Sequence, residues 1–185
     1  MALVFFVGKK DRKKRMVQDY QYLNEWTIKN NYPLPLILDV TKNIGTKKVF
    51  KKMDLRWEYN NVQIKEGDEW KTAFMTPKGS FEPTVIFFGL TNSLATFQAM
   101  INELLRDLIN MRKVAAFIDD VIVGTEDKKG HKELVVEVVK KLEENDLYVK
   151  SEKCKWKIRE VWFLGVVIGP EGIKMEEEKV KGVLD

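Results

Sequence analysis

Residues 114–123 read Val114-Ala115-Ala116-Phe117-Ile118-Asp119-Asp120-Val121-Ile122-Val123, two apolar runs joined by a pair of adjacent aspartates. Runs this short and apolar predict buried strands, and a polar pair between them predicts a tight strand-turn-strand hairpin. Aspartates are common in such turns, where they hydrogen-bond their own backbone. A third aspartate changes the reading, because Asp54 closes another apolar-rich stretch, Val49-Phe50-Lys51-Lys52-Met53-Asp54-Leu55. Carboxylates at the ends of buried strands are costly unless a cation meets them. Hard divalent ions such as Mg²⁺ would do so, since they take oxygen ligands and share them with substrate phosphates.

The elements on either side set the fold. A strand ends at Asp54. Asn92 or Ser93 can cap a helix running to about Asn110, with Phe97, Met100, Ile101, Leu104, Leu105 and Leu108 on one apolar face. The Asp-Asp hairpin follows, then a helix over residues 131–145 with Leu134, Val135, Val138, Val139 and Leu142 in one stripe. Trp162-Phe163-Leu164-Gly165-Val166-Val167-Ile168 reads as a last strand, turned by Gly169-Pro170-Glu171-Gly172. Strand, helix, strand, strand, helix, strand is the split βαβ arrangement, an α+β, ferredoxin-like antiparallel sheet with helices on one face and the central hairpin beside the first strand. That topology places Asp54 next to Asp119 and Asp120 although 65 residues separate the first two.

Upstream, residues 4–9 and 15–17 read as strands around a basic loop. Tyr32-Pro33-Leu34-Pro35 is extended, since each proline biases its predecessor away from helix. A short helix over residues 36–44 stops at Gly45. Residues 61–65 and 71–74 alternate at period two and are expected to be half-buried strands.

Composition narrows the chemistry. The 185 residues are 44% hydrophobic, enough for a core. The net charge of +4 is too small to announce a nucleic-acid binder. Its distribution is more telling: residues 8–15 hold six cations and one anion, and residues 46–52 four lysines. Cys154 is the only cysteine and His131 the only histidine, which excludes an intrachain disulfide and a Cys/His zinc site and disfavours a Ser-His-Asp mechanism. His131 is expected on the solvated start of a charged helix, and Cys154 as a reduced structural thiol. No stretch approaches a membrane span, and residues 1–8 are too short for a signal peptide. The chemistry is left to carboxylates, lysines and metal ions.

Nine blocks along the chain resemble a known family in order and spacing: Lys9-Lys10-Asp11 with Arg15; Asp19-Tyr20; Leu23-Asn24; Tyr32-Pro33-Leu34-Pro35; Lys52-Met53-Asp54-Leu55-Arg56; Gln63-Ile64-Lys65-Glu66-Gly67-Asp68-Glu69-Trp70-Lys71-Thr72-Ala73-Phe74; Phe88-Gly89-Leu90-Thr91-Asn92 with Ala95-Thr96-Phe97-Gln98; Phe117-Ile118-Asp119-Asp120; and Phe163-Leu164-Gly165. The chain resembles the reverse transcriptase, an RNA-directed DNA polymerase, of gypsy-type long-terminal-repeat retrotransposons. The resemblance implies fingers in residues 1–46 and 67–92, palm in 47–66 and 93–173, and the start of a thumb in 174–185. It implies two Mg²⁺ ions, with Mn²⁺ as a substitute, held by Asp54 and Asp119 with help from Asp120. Lys9, Lys10 and Arg15 would clamp the nucleotide phosphates, and the backbone at Leu55 would meet the triphosphate. Tyr59 would be the steric gate against a ribose 2′-hydroxyl, while Phe88 and Gln98 would line the incoming nucleotide. Lys153 falls at a general-acid position for the pyrophosphate, and Trp162, Phe163, Leu164 and Gly165 form the primer grip. Implied partners are an RNA or DNA template with a DNA primer, dNTPs, and the thumb and RNase H regions of the same polyprotein, working without a membrane in cytoplasmic virus-like particles. Oligomeric state is not implied.

Four residues depart from the family pattern. Glu58 stands where a glycine precedes the gate tyrosine, Leu94 where a proline starts the helix, Arg12 for a turn glycine, and Gln21 for an arginine that touches template. They favour a second reading, a degenerate, catalytically inactive module that binds nucleic acid or partners. A nucleotide cyclase with the same sheet ranks third, because it leaves the fingers blocks and Phe163-Leu164-Gly165 unexplained.

Overall fold

The computed structural model describes residues 1–8, 14–45, 47–56 and 58–175, without the side chains of Asn43, Glu58, Tyr59, Lys153 and residues 155–158. In chain order the elements are β1 (Ala2–Gly8), β2 (Lys14–Gln18), α1 (Gln21–Trp26), α2 (Ile37–Ile44), β3 (Val49–Asp54), β4 (Phe74–Thr76) and β5 (Gly79–Phe81). They continue as α3 (Ser93–Leu104), α4 (Arg106–Asn110), β6 (Val114–Phe117), β7 (Asp120–Thr125), α5 (His131–Glu143), β8 (Lys155–Ile158), β9 (Val161–Phe163), β10 (Val166–Gly169) and β11 (Gly172–Met175). The chain divides into two discontinuous units, Met1–Tyr32 with Trp57–Phe97, and Pro33–Arg56 with Gln98–Asp185.

The first unit is built on a sheet of order β2-β1-β4-β5, in which β1 runs antiparallel to β2 and parallel to β4. Ala2, Tyr20 and Phe74 form its buried cluster, with Val4, Met16, Leu23, Phe87 and Leu90 packed around them. Tyr20 Oη donates to the Thr72 carbonyl at 2.9 Å, and burial pushes its phenol up to about 12. Gln18 is 3% exposed, and neither atom of its side-chain amide has a hydrogen-bond partner among the described residues. A buried amide left unpaired costs on the order of 1–3 kcal/mol. Gln18→Leu is therefore expected to raise the thermal midpoint by a few degrees, read by calorimetry; a lower midpoint would show that the amide has a partner.

The second unit carries the split βαβ. Its main sheet has the order β6-β7-β3-β8, so the β6–β7 hairpin lies beside β3 as its connectivity predicts. All three pairings are antiparallel. Registered pairs fix the faces: Phe50 opposes Gly124, Lys52 opposes Ile122 and Asp54 opposes Asp120. On that face, Phe50, Ala115 and Ile122 join Val40 and Ile44 of α2 and Val161, Phe163 and Ile168 in one core. Gly124 lets α2 approach, since a Cβ there would lie 2.7 Å from Ile44 Cγ1. On the other face Met53, Val121 and Val123 are fully buried, and α5 packs on β7.

Several expectations are corrected. The fourth strand of the split βαβ is β8, and residues 162–168 instead form the β9–β10 hairpin of a separate sheet with β11. Leu164 and Gly165, with φ of 53° and 80°, turn the chain there, so apolar continuity concealed a turn. The helix expected through Asn110 breaks at Leu105, which has φ −104°. Residues 61–65 make only a Gln63–Val85 bridge after a 3₁₀ turn at Glu58–Asn61, and Pro83, which lacks an N–H, limits further pairing. Residues 69–72 form a 3₁₀ turn held by the Lys71–Asp68 ion pair and by Thr72 Oγ1 donating to the Glu69 carbonyl, so strand begins only at Phe74. Neither capping candidate acts as drawn: Asn92 ties residues 28 and 30, and Ser93 Oγ donates to the Phe87 carbonyl. His131 is buried, with Nδ1 2.9 Å from Thr125 Oγ1, because α5 starts against the end of β7. Cys154 is a half-buried free thiol whose Sγ donates to the Lys150 carbonyl.

Candidate active site

β3 ends at Asp54, and the turn between β6 and β7 delivers Asp120 directly opposite it. The turn has two central residues, Ile118 and Asp119, and Ile118 sits at φ 53°. A β-branched residue there is strained and persists only where its surroundings impose it. Gln98 of α3, fully buried, supplies that restraint: its Oε1 accepts from Ile118 N at 2.8 Å and its Nε2 donates to the Ala116 carbonyl at 3.2 Å and to Asn102 Oδ1 at 2.9 Å. Gln98 thus grips the backbone of the hairpin that carries the aspartates.

A second segment is zipped along the end of β3. Leu55 N donates to the Asp119 carbonyl at 2.8 Å, Arg56 N to Tyr148 O at 2.7 Å and Lys150 N to Asp54 O at 2.8 Å. The Leu55 side chain is fully buried, and its N–H is committed to the hairpin. Two lysines face the carboxylates. Lys52 Nζ donates to Asp120 Oδ2 at 2.7 Å, and Lys150 Nζ donates to Asp54 Oδ1. The four side chains are each about a fifth exposed, so the pairs lie between solvent and core. Burial pushes the Asp120 carboxyl up from the ordinary range, Lys52 opposes this, and Asp119 and Asp54 add to it. Asp119 makes no ion pair among the described residues. Nor do three His, Cys, Asp or Glu side chains gather there to hold a metal. The backbone therefore assembles the three aspartates while lysines hold two of their carboxylates.

Sequence reasoning missed both lysines. Lys52 was legible, since two residues before Asp54 on a strand means the same face. Lys150 carries no local signal, because only the sheet topology brings it to Asp54. At the expected primer grip, Trp162 is 46% exposed while Phe163 is 1% exposed. The Phe163 ring centroid lies 5.8 Å from Lys52 Nζ, which ties this turn to the acidic pair. In the first unit, Arg15 and Phe88 come together, with the guanidinium carbon 4.7 Å from the ring centroid. Lys9 and Lys10 lie outside the described residues, as do the side chains of Tyr59 and Lys153.

Residues 7–168 match the family described as reverse transcriptase (RNA-dependent DNA polymerase). The chain belongs to the reverse transcriptase family. This reverse transcriptase domain is 34% identical over 181 residues to the Transposon Tf2-3 and Tf2-7 polyproteins of Schizosaccharomyces pombe, relatives that agree with the gypsy-type retrotransposon expected from sequence. The match covers 98% of the chain and 14% of each polyprotein. Among solved structures, the foamy viral protease-reverse transcriptase in complex with an RNA/DNA hybrid is 26% identical with a TM-score of 0.87, covering 100% of this chain and 24% of that one. The same viral protein in complex with double-stranded DNA, in the form designated dRH, is also 26% identical, with a TM-score of 0.90 over 100% and 32% of the two chains. The mixed α+β architecture is that of reverse transcriptases. Their family is one of nucleotidyltransferases that use divalent metal ions. Among the described residues, no helix is long and apolar enough to cross a membrane.

Proposed function

We propose that this chain is the fingers-palm part of a retrotransposon reverse transcriptase, transferring a dNTP to a primer 3′-hydroxyl on an RNA or DNA template. The observation that carries the reading is the cross-strand meeting of Asp54 with the Asp119-Asp120 turn, inside a chain matched to the family over residues 7–168. Fingers segments interleaved with palm suit a chain whose two compact units are each discontinuous. The relatives with bound hybrid or duplex DNA make a template-primer duplex the natural partner. The remaining regions of a polyprotein like those matched would supply the thumb and RNase H.

Asp54 and Asp119 are the residues that would hold two Mg²⁺ ions: they offer the carboxylate oxygens that hard cations take, at the ends of the central strands, with Asp119 in no ion pair among the described residues and Asp54 held by Lys150. Such ions acidify the primer hydroxyl and stabilise charge on the pyrophosphate. Gln98 fixes the turn that aims Asp119, and Lys52 anchors Asp120 to the sheet. Arg15, stacked on Phe88, would meet the nucleotide phosphates together with Lys9 and Lys10; a guanidinium held on a ring keeps its fork free for phosphate oxygens. Tyr59 would gate the sugar, Lys153 would protonate the pyrophosphate, and exposed Trp162 would touch the primer.

The test is single-nucleotide extension of a DNA primer on an RNA template, with Mg²⁺ or Mn²⁺, comparing the chain with Glu58→Gly. Glu58 adds a carboxylate next in sequence to the sugar gate, so its removal should raise extension by about tenfold or more, as expected when one like charge near phosphates is lost. Extension by neither protein, even when thumb and RNase H regions of a matched polyprotein are supplied, would favour the inactive module.

A further inference from the structure

The two lysines on the acidic site are held differently. Lys52 projects from β3 itself, on the face it shares with Asp54 and Asp120, its ammonium near the Phe163 ring. Lys150 comes from the irregular segment after α5, immediately before the 3₁₀ turn Ser151–Lys153, and reaches Asp54 Oδ1 from there. Its backbone N–H is fixed on the Asp54 carbonyl, so the side chain is tethered at its base and 23% exposed at large. An ammonium donating to Oδ1 occupies the space a cation bound to that oxygen would take, and two positive charges at such separation repel.

We infer that Lys150 is a resident counter-ion on Asp54 that a divalent ion must displace, coupling metal binding to the arrival of nucleotide phosphates. This rests on the reading of Asp54 as a metal carboxylate. Before displacement Lys150 balances a carboxylate that burial would otherwise penalise. After it, the freed ammonium adds positive charge beside the incoming ion, and the anionic triphosphate is the group that offsets it. Metal alone is therefore bound weakly, and metal with nucleotide much more tightly, a coupling set by one side chain. Lys52 does not share this role, because its partner Asp120 leaves Asp54 and Asp119 to the ions.

The experiment is Mn²⁺ binding followed by the paramagnetic resonance of free Mn²⁺, with and without a nucleoside triphosphate. It compares the chain with Lys150→Met and Lys150→Arg, each checked for native circular dichroism, and uses Lys150→Gln if the methionine variant does not fold. Lys150→Met should bind Mn²⁺ roughly tenfold more tightly in the absence of nucleotide and show a correspondingly smaller enhancement on adding it. Lys150→Arg should behave as the parent. Equal affinities in parent and Lys150→Met, abolished by Asp54→Asn, would overturn the counter-ion role and leave the metal carboxylate standing. No Mn²⁺ bound by any folded variant would overturn both.

Discussion

Asp119→Asn is expected to abolish primer extension, by about a thousandfold or more, with almost no change in stability. Asp119 is the aspartate of the three without an ion pair among the described residues, and it sits at the tip of a turn whose backbone is restrained by Gln98 and Leu55. Removing its charge leaves those backbone bonds intact, so the unfolding free energy should move by no more than about 0.5 kcal/mol. On the proposed reading the activity loss follows from taking one carboxylate from the metal-holding pair, worth on the order of 4 kcal/mol in the barrier. Asp120→Asn is the contrast. Its carboxylate is engaged by Lys52 and half-buried, so the substitution leaves a lysine without its anion and should cost stability more than turnover. The two variants are separated by extension kinetics together with urea denaturation. Equal losses of turnover would mean that both aspartates hold metal.

The legible part of this molecule was its long-range logic. Period-3.6 patterns in α3 and α5 and the apolar runs of β3, β6 and β7 predicted the hairpin's place beside β3, and with it the Asp54–Asp120 pair. What failed lay where a turn is invisible to hydrophobicity. Leu164 is apolar yet adopts φ 53°, so residues 162–168 read as one strand when they are two, and β8 went unseen in a lysine-rich stretch whose charges suggested solvent. His131 illustrates the same limit, because a polar residue at the head of a charged helix is buried by tertiary neighbours such as Thr125, which the local sequence does not show. At the site, the carboxylates were readable from residue type and spacing, but their counter-ions depended on topology. Lys150 lies 96 residues from Asp54 and meets it only because the segment after α5 pairs with the end of β3.

The turn at Trp162-Phe163-Leu164-Gly165, which the resemblance assigns to the primer grip, has side chains in two environments. Phe163 belongs to the core with Phe50, Ile122 and Ile168, whereas Trp162 is nearly half exposed. Truncating a fully buried phenylalanine costs about 3–5 kcal/mol, from lost transfer energy and the cavity left behind. Against a total stability on the order of 5–15 kcal/mol, Phe163→Ala should bring the chain close to unfolding at ambient temperature. The damage should also reach the site, because the ring lies 5.8 Å from the ammonium that holds Asp120. Trp162→Ala is expected to change stability by less than about 1 kcal/mol and instead to weaken binding of a primer-template duplex. Urea denaturation and duplex binding on both variants resolve the turn into its parts. A stable Phe163→Ala that loses only duplex affinity would place the phenylalanine, rather than the tryptophan, against the primer.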